Sequence, residues 1–267
     1  MIIASPQNDR IKNIVKLRNR RERDKQQMMV IEGYRSLVRA SNNHIEVAEF
    51  YFCRDFFMGE NEDSLIELYR SRGTKIIEVT KIVFEKISYR DRPEGLLGVA
   101  PYFNKSLNDL TFKEEPFLVV AQAIEKPGNL GTIIRSTDGT GADALILCDR
   151  CTDLFNPNVI TASTGICFAL PIIEASSADC LTYLKENNIT ILSATPSAET
   201  LYTDVDMTGP VAVIVGTEQY GLTDEWLRES TINVKIPMLG QADSLNVSTA
   251  TTLLLYEAVR QREKKNR

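Results

Sequence analysis

Five runs in the second half of the chain are almost wholly apolar: FLVVAQAI (117–124), ALILC (144–148), ITILSAT (189–195), VAVIVG (211–216) and VKIPM (234–238). A strand wetted on one face alternates polar and apolar residues, so a run that is apolar throughout must be covered on both faces. Segments with helical character at 129–138, 156–168, 178–187, 223–230 and 246–264 separate these runs, and such alternation builds a parallel sheet flanked by helices. The second half is therefore expected to be an α/β domain. Ligands of open parallel sheets bind beyond the carboxyl ends of the strands, where loops and helix N-termini with unpaired N–H groups gather.

The first half reads as a smaller α/β unit. RIKNIVKLRNRRERDKQ (10–26) sets Ile11, Ile14 and Val15 at helical spacing with basic residues elsewhere, which predicts one basic amphipathic helix from Asp9 to Gln26. Short strands are expected in MVIEG, VAEFYFC, KIIEV and LLGVAPYF, with helices through Tyr34–Ala40, Leu65–Arg72 and Phe84–Ile87. Tyr51, Phe52, Phe56 and Phe57 are read as core. NKSLNDLTFKEEP (104–116) is polar and closes on a proline, as a linker would. The expected organisation is a domain at 1–103, a linker at 104–116 and a second domain at 117–267.

Charge is unevenly placed. The chain of 267 residues carries a formal net charge of -5, yet residues 1–40 hold ten Lys/Arg against four Asp/Glu, and residues 260–267 hold five against one. Basic ends on an acidic body suit a polyanionic partner. No apolar stretch approaches the length that spans a bilayer and no apolar leader follows the start, so a cytoplasmic protein is expected. Five cysteines without such a leader read as reduced thiols. Cys148-Asp-Arg-Cys151 has the spacing of half a zinc site, but no second cysteine pair exists and His44 is the one histidine, so no metal is expected. That scarcity also disfavours Ser-His-Asp hydrolysis. Phosphate-loop and dinucleotide fingerprints are absent.

Three polar islands follow the apolar runs: EKPGNLGTIIRSTDGTGAD (125–143), GTEQYGLT (216–223) and the stretch IPMLGQADSLNVSTATTLLLYEAVRQR (236–262). Singly, each has a structural explanation. Asn129 can cap a helix, Glu218 can face the dipole of the helix after it, and Ser244 or Asn246 can cap the last helix. Jointly they resemble, in order, the three motifs of the SpoU/TrmH family of SPOUT RNA methyltransferases: N-L-G-x-I-x-R with G-A-D, G-x-E-x-x-G-L, and I-P-M-x-G-x-x-x-S-L-N-V-S with Y-E-x-x-R-Q. The first 103 residues, with SPQNDRIK, IEG (31–33) and EGLLGV (94–99), are similar to the substrate-binding domain often placed before that catalytic domain.

The resemblance implies a parallel-sheet SPOUT domain with a C-terminal trefoil knot and S-adenosylmethionine as methyl donor. It also implies a ribose 2'-hydroxyl of RNA as acceptor, ribosomal RNA ahead of transfer RNA, and a homodimer. By the same resemblance Leu192, Ala194, Thr195, Gly216, Thr217, Glu218, Ile236, Met238, Ser244 and Leu245 would build the cofactor cleft. Arg135 matches the family's essential arginine, while Asn129, Glu218, Ser244 and Asn246 match its other polar site positions. Arg10, Lys12, Arg18, Arg20, Arg21 and Arg23, with Arg135, are the expected RNA contacts. A guanidinium with a pKa above 12 is a poor base, so Arg135 is assigned to holding phosphate and polarising the hydroxyl, and the base is left open. The homodimer is expected to pack on the face Val247, Ala250, Leu254 and Ala258. Methylation of a base nitrogen, or an RNA-binding assembly factor without turnover, are the competing readings.

Overall fold

The computed structural model describes residues 2–112 and 114–265, which form two compact units: Met1–Phe103 with Asp153–Ala169, and Asn104–Thr152 with Leu170–Arg267. In the first 103 residues the elements are β1 (Ile2–Ile3), α1 (Asp9–Lys16), α2 (Arg20–Gln26), β2 (Met28–Glu32), α3 (Tyr34–Asn42), β3 (Glu49–Phe52), α4 (Glu62–Ser71), β4 (Lys75–Val79), α5 (Lys81–Ile87) and β5 (Leu96–Pro101). Their sheet has the order β1-β4-β3-β5-β2, with β5 antiparallel to both neighbours. Ile11, Ile14 and Leu17 bury against Val30, Tyr51, Phe84 and Leu97, so the apolar stripe of the basic segment is core as its spacing requires.

The single helix expected over 9–26 is two helices. Asn19 adopts an extended backbone and its side chain accepts from the Arg21 amide at 2.8 Å, a cap that starts α2 afresh. The exposed carbonyls at the end of α1 then need donors. Arg23 supplies them: its Nη1 donates to the carbonyls of Leu17 and Arg18, both at 2.8 Å, while Nη2 donates to Asp153 Oδ2 at 2.7 Å. Both side chains of this pair are almost fully enclosed, 1% and 3% exposed. Arg23 is therefore not an RNA contact. The planar guanidinium fork that suits a phosphate is here matched to two carbonyls and one carboxylate inside the protein.

After β6 (Phe117–Gln122), α6 (Pro127–Gly139) and β7 (Ala144–Cys148), the segment Asp153–Ala169 joins the first unit. It carries α7 (Pro157–Ala162) and a 3-10 turn at Ile166–Phe168 in place of the continuous helix expected at 156–168. Thr164 and Gly165 take left-handed φ values of 53° and 81°, which ends α7. Phe155 stacks on Tyr102 with centroids 4.0 Å apart. A Cβ on Gly165 would stand 2.8 Å from the Ser36 Cα, so only glycine lets this turn approach α3.

The second unit continues with β8 (Ile172–Ala175), α8 (Ser177–Glu186), β9 (Thr190–Ala194), β10 (Thr200–Leu201), β11 (Val211–Val215), α9 (Asp224–Glu229), β12 (Ile232–Lys235) and α10 (Val247–Lys265). The seven strands lie in the order β10-β12-β9-β11-β6-β7-β8, every neighbouring pair parallel. Leu118, Val120, Ile146, Ile191, Ile214 and Trp226 share one core cluster. β8 and β10 lie at the sheet's two edges, and neither stands out in the sequence pattern because edge strands are short and partly polar. β12 ends at Lys235, leaving Ile236 to Met238 as loop rather than strand. α10 packs on α6 and β11 and buries Val247, Leu254 and Ala258. The apolar face expected to hold a dimer is thus spent inside the chain.

No cysteine is in a disulfide, and only Cys151 is exposed. Among the described residues no helix is long and apolar enough to cross a membrane, and no cluster of three or more His, Cys, Asp or Glu side chains could hold a metal ion.

Replacing Asp153 with Ala leaves a buried guanidinium uncompensated and is expected to cost about 3–5 kcal/mol. Asp24→Ala, which breaks a half-exposed pair with Arg20 and a long hydrogen bond of 3.3 Å from the Tyr102 hydroxyl, should cost less, about 1 kcal/mol. Urea midpoints of the two variants check the contrast.

Candidate active site

Because every strand of the large sheet runs the same way, the loops leaving β6, β9, β11 and β12 emerge at one edge. There the loops after β9, β11 and β12 enclose a cavity of about 500 Å³, within the usual range for a small-molecule site. Its wall comprises Ala194–Ser197 after β9, Val215–Leu222 at the end of β11, Ile236, Met238 and Asp243–Leu245 after β12, and Asp224, Leu227, Val234, Val247 and Ala250.

The β11 loop folds back on itself. Thr217 and Gly221 exchange backbone hydrogen bonds of 2.9 and 3.1 Å, Thr217 Oγ1 accepts from the Tyr220 amide at 2.9 Å, and Gly221 takes a φ of +68°. Gly216 lies against the returning strand of this turn: a Cβ there would stand 2.3 Å from the Gly221 carbonyl oxygen and 2.6 Å from the Leu222 nitrogen. A side chain at 216 is incompatible with the turn, and its absence leaves peptide groups as the cavity wall.

Of the residues expected at the cofactor cleft, Ala194, Thr195, Gly216, Thr217, Glu218, Ile236, Met238, Ser244 and Leu245 line this cavity. Leu192 does not. It is fully buried within β9, two residues short of the strand's end, and belongs to the core.

A chain of polar contacts runs beside the cavity and joins all three islands. Glu218 accepts from Lys126 Nζ and from Asn129 Nδ2; Asn246 Nδ2 donates to Asn129 Oδ1 at 3.2 Å. Asn246 Oδ1 in turn accepts from the amide and hydroxyl of Ser248, at 2.9 and 2.6 Å, which caps α10 as expected. Asn129 does not cap a helix. α6 begins at Pro127, so Asn129 lies in its first turn and its amide is available to bridge Glu218 and Asn246. Glu218 likewise stands at the amino end of α6, not over α9, where a carboxylate complements the helix dipole. Its hydrogen bond and charge hold the Lys126 ammonium above its ordinary range. Lys126 was not anticipated, since an exposed lysine before Pro-Gly looks like any solvated turn residue.

Arg135 is exposed on α6, beyond the residues lining the cavity. The helix that carries it is fastened to α10 by Ser136 Oγ and Thr252 Oγ1, 2.7 Å apart.

The family model described as the SpoU rRNA Methylase family matches residues 116–256. The chain belongs to that family. A second model, the MRM3-like substrate binding domain, matches residues 8–98 of this SpoU family member. The 23S rRNA (guanosine-2'-O)-methyltransferase RlmP of Bacillus subtilis is 26% identical over 95% of this chain and 97% of its own length. A crystal structure of an RNA 2'-O ribose methyltransferase aligns with a TM-score of 0.87 at 38% identity, covering 98% of this chain and 100% of that one. An AdoMet-bound rRNA methyltransferase from Sinorhizobium meliloti aligns with a TM-score of 0.89 at 29% identity, covering 97% of each chain. The SpoU match covers the first two polar islands and the third as far as Tyr256, and in this member they converge on one sheet edge.

Gly216→Ala is expected to open the β11 turn. Hydrogen exchange at the Thr217 and Gly221 amides, the two paired across it, should accelerate on the order of tenfold or more, with the strand amides of β11 little changed.

Proposed function

We propose that this chain transfers the methyl group of S-adenosylmethionine to a ribose 2'-hydroxyl of ribosomal RNA. The observation that carries the reading is the convergence of the three SpoU motifs: two of them wall one cavity, and Glu218, Asn129 and Asn246 hydrogen-bond the third to its rim. The residues fit the donor's chemistry. Peptide groups bared at Gly216 suit the polar edge of an adenine, Ile236, Met238 and Leu245 suit its faces, and the carboxylates of Asp224 and Asp243 suit the ammonium of its zwitterionic tail. When bound, the sulfonium supplies an electrophilic methyl carbon for in-line displacement. The chain's own task is to hold the attacking oxygen on that line, which can account for several kcal/mol of the barrier.

In this reading Arg135 grips the phosphate beside the target ribose and orients its hydroxyl. Asn129 and Asn246 set the spacing of α6 and α10 around the reacting atoms, and Ser244 borders them. Residues 1–103, with 153–169 in the same unit, bind substrate RNA; 117–152 and 170–267 carry the chemistry, and the stretch 104–116 expected as a linker packs with this second unit. Arg21 is the favoured phosphate contact among the basic residues, being exposed at the start of α2, with Arg20 beside it, exposed but paired to Asp24. Arg10 and Lys12 serve more weakly because Glu49 and Asp9 already neutralise them, and Arg18 donates to the carbonyls of Lys86 and Ser88.

We read the stretch between β12 and α10 as the threaded part of the family's trefoil knot. In support, β12 pairs with β9 and β10, whereas α10 packs on α6 and β11, so the chain recrosses the sheet edge between them. A homodimer would use the outward side of α10 and the cavity rim, where Leu253, Tyr256, Tyr220 and Leu239 are exposed. Ribosomal RNA as substrate favours a cytoplasmic protein.

Labelled methyl transfer into ribosomal RNA tests the activity, and alkaline hydrolysis tests the position, because a 2'-O-methyl group blocks cleavage at its own linkage and a methylated base does not. Arg135→Ala should lower kcat on the order of 10²-fold or more, as loss of a transition-state donor does; a variant as active as the parent would falsify the role. Arg20→Glu with Arg21→Glu should weaken RNA affinity and reduce the slope of log affinity against log salt by about two. An unchanged slope would show that α2 is merely solvated.

A further inference from the structure

Gln122 ends β6 outside all three motifs, and it is 3% exposed. Its side chain is fully engaged. Oε1 accepts from the Thr223 amide at 3.1 Å, while Nε2 lies 3.0 Å from Asp149 Oδ2, 3.2 Å from Thr223 Oγ1 and 3.3 Å from Ser177 Oγ. A primary amide has two protons for these three acceptors. Ser177 Oγ already donates to Asp149 Oδ2 at 2.5 Å and accepts from the indole of Trp226 at 2.7 Å, so Asp149 and Thr223 are the natural partners of Nε2.

Thr223 is the residue on which the cavity loop lands. It precedes α9, yet its hydroxyl makes no cap to that helix and is turned to Gln122 instead. Leu222 and Gly221, immediately before it, are the atoms against which Gly216 is packed, and Asp224, immediately after it, lines the cavity. One side-chain amide thus grips the loop at its base through both the N–H and the hydroxyl of a single residue. Asp149, with its left-handed φ of 50°, braces that amide from the end of β7 and is itself held by the Ser177 amide at 3.2 Å. Hydrogen bonds from Ser177 and Gln122 outweigh the desolvation of Asp149 and keep its carboxyl below the usual range, hence charged and accepting at neutral pH.

We propose that Gln122, braced by Asp149, is a positioning residue for the methyl-donor site: it fixes the Gly216–Asp224 loop in the shape that receives the donor. The inference rests on the proposed methyltransferase reading. A loop held only by its own turn would sample other shapes and bind the donor in a fraction of molecules, which raises the apparent dissociation constant in inverse proportion to that fraction.

The test compares full-length parent, Gln122→Met, Asp149→Ala and Ile173→Ala. Methionine keeps the volume of glutamine without its hydrogen bonds; Asp149 is exposed, so its truncation opens no core cavity, and the cost of alanine at its left-handed φ is read from the thermal midpoint; Ile173 is a buried β8 residue, three strands from β11 in the sheet and outside the Gln122 hydrogen bonds, whose truncation lowers stability. S-adenosylmethionine binding is measured by calorimetry, and KM and kcat by methyl transfer to ribosomal RNA, with thermal midpoints recorded for each. The expected result is a rise of about tenfold in the donor's Kd and KM for Gln122→Met and Asp149→Ala, with kcat at saturating donor within about twofold of the parent. Ile173→Ala should melt earlier yet bind the donor as the parent does. Parent-like donor affinity in both loop variants overturns the inference, as does an equal loss of affinity in Ile173→Ala. A parent protein that binds no donor defeats the methyltransferase reading instead.

Discussion

An all-parallel sheet has a chemical direction, and that direction organises the catalytic unit. Helix-covered strands leave no polar backbone free along their length, so recognition must be built where the chain leaves the sheet. Here the strands lying adjacent in the order β12-β9-β11-β6 release their loops side by side. Residues as distant in sequence as Asn129 and Asn246 come within one hydrogen bond because strand order, not chain order, decides which loops are neighbours.

The loops are held by devices of different reach. Gly216 acts by having no side chain, letting one strand of a turn close on another. Glu218 acts by charge, drawing the amino end of α6 toward the β11 loop. Gln122 acts from beneath, through a neutral amide whose donors and acceptor are all engaged. All three are contacts of the chain with itself, and each one that holds the wall in shape lowers the conformational entropy to be lost on binding.

Much of this was readable in the chain. Runs such as ALILC and VAVIVG announce buried parallel strands because no other environment tolerates them, and glycines in 216–221 announce a tight loop. The limits have physical causes. Asn129 reads as a helix cap, the commonest use of asparagine before an apolar run, and only the position of Pro127 shows that the helix has already begun. Leu192 was assigned to the cleft with the strand end that carries it but belongs to the core, since a strand's apolar residues look alike whether they face a core or a ligand. Arg23 looked like its exposed neighbours Arg20 and Arg21. What sets it apart is Asp153, a partner 130 positions away that no local pattern can announce.

That partnership bears on how the chain can be divided. The chain leaves the second unit after Thr152, contributes Asp153–Ala169 to the first and returns at Leu170, so the two units are interleaved along the chain. A recombination event at the polar stretch 104–116 would carry away a first unit lacking its counter-ion for Arg23, the ring stacked on Tyr102 and the glycine turn against α3. Units interleaved in this way cannot be separated intact by a single break in the chain.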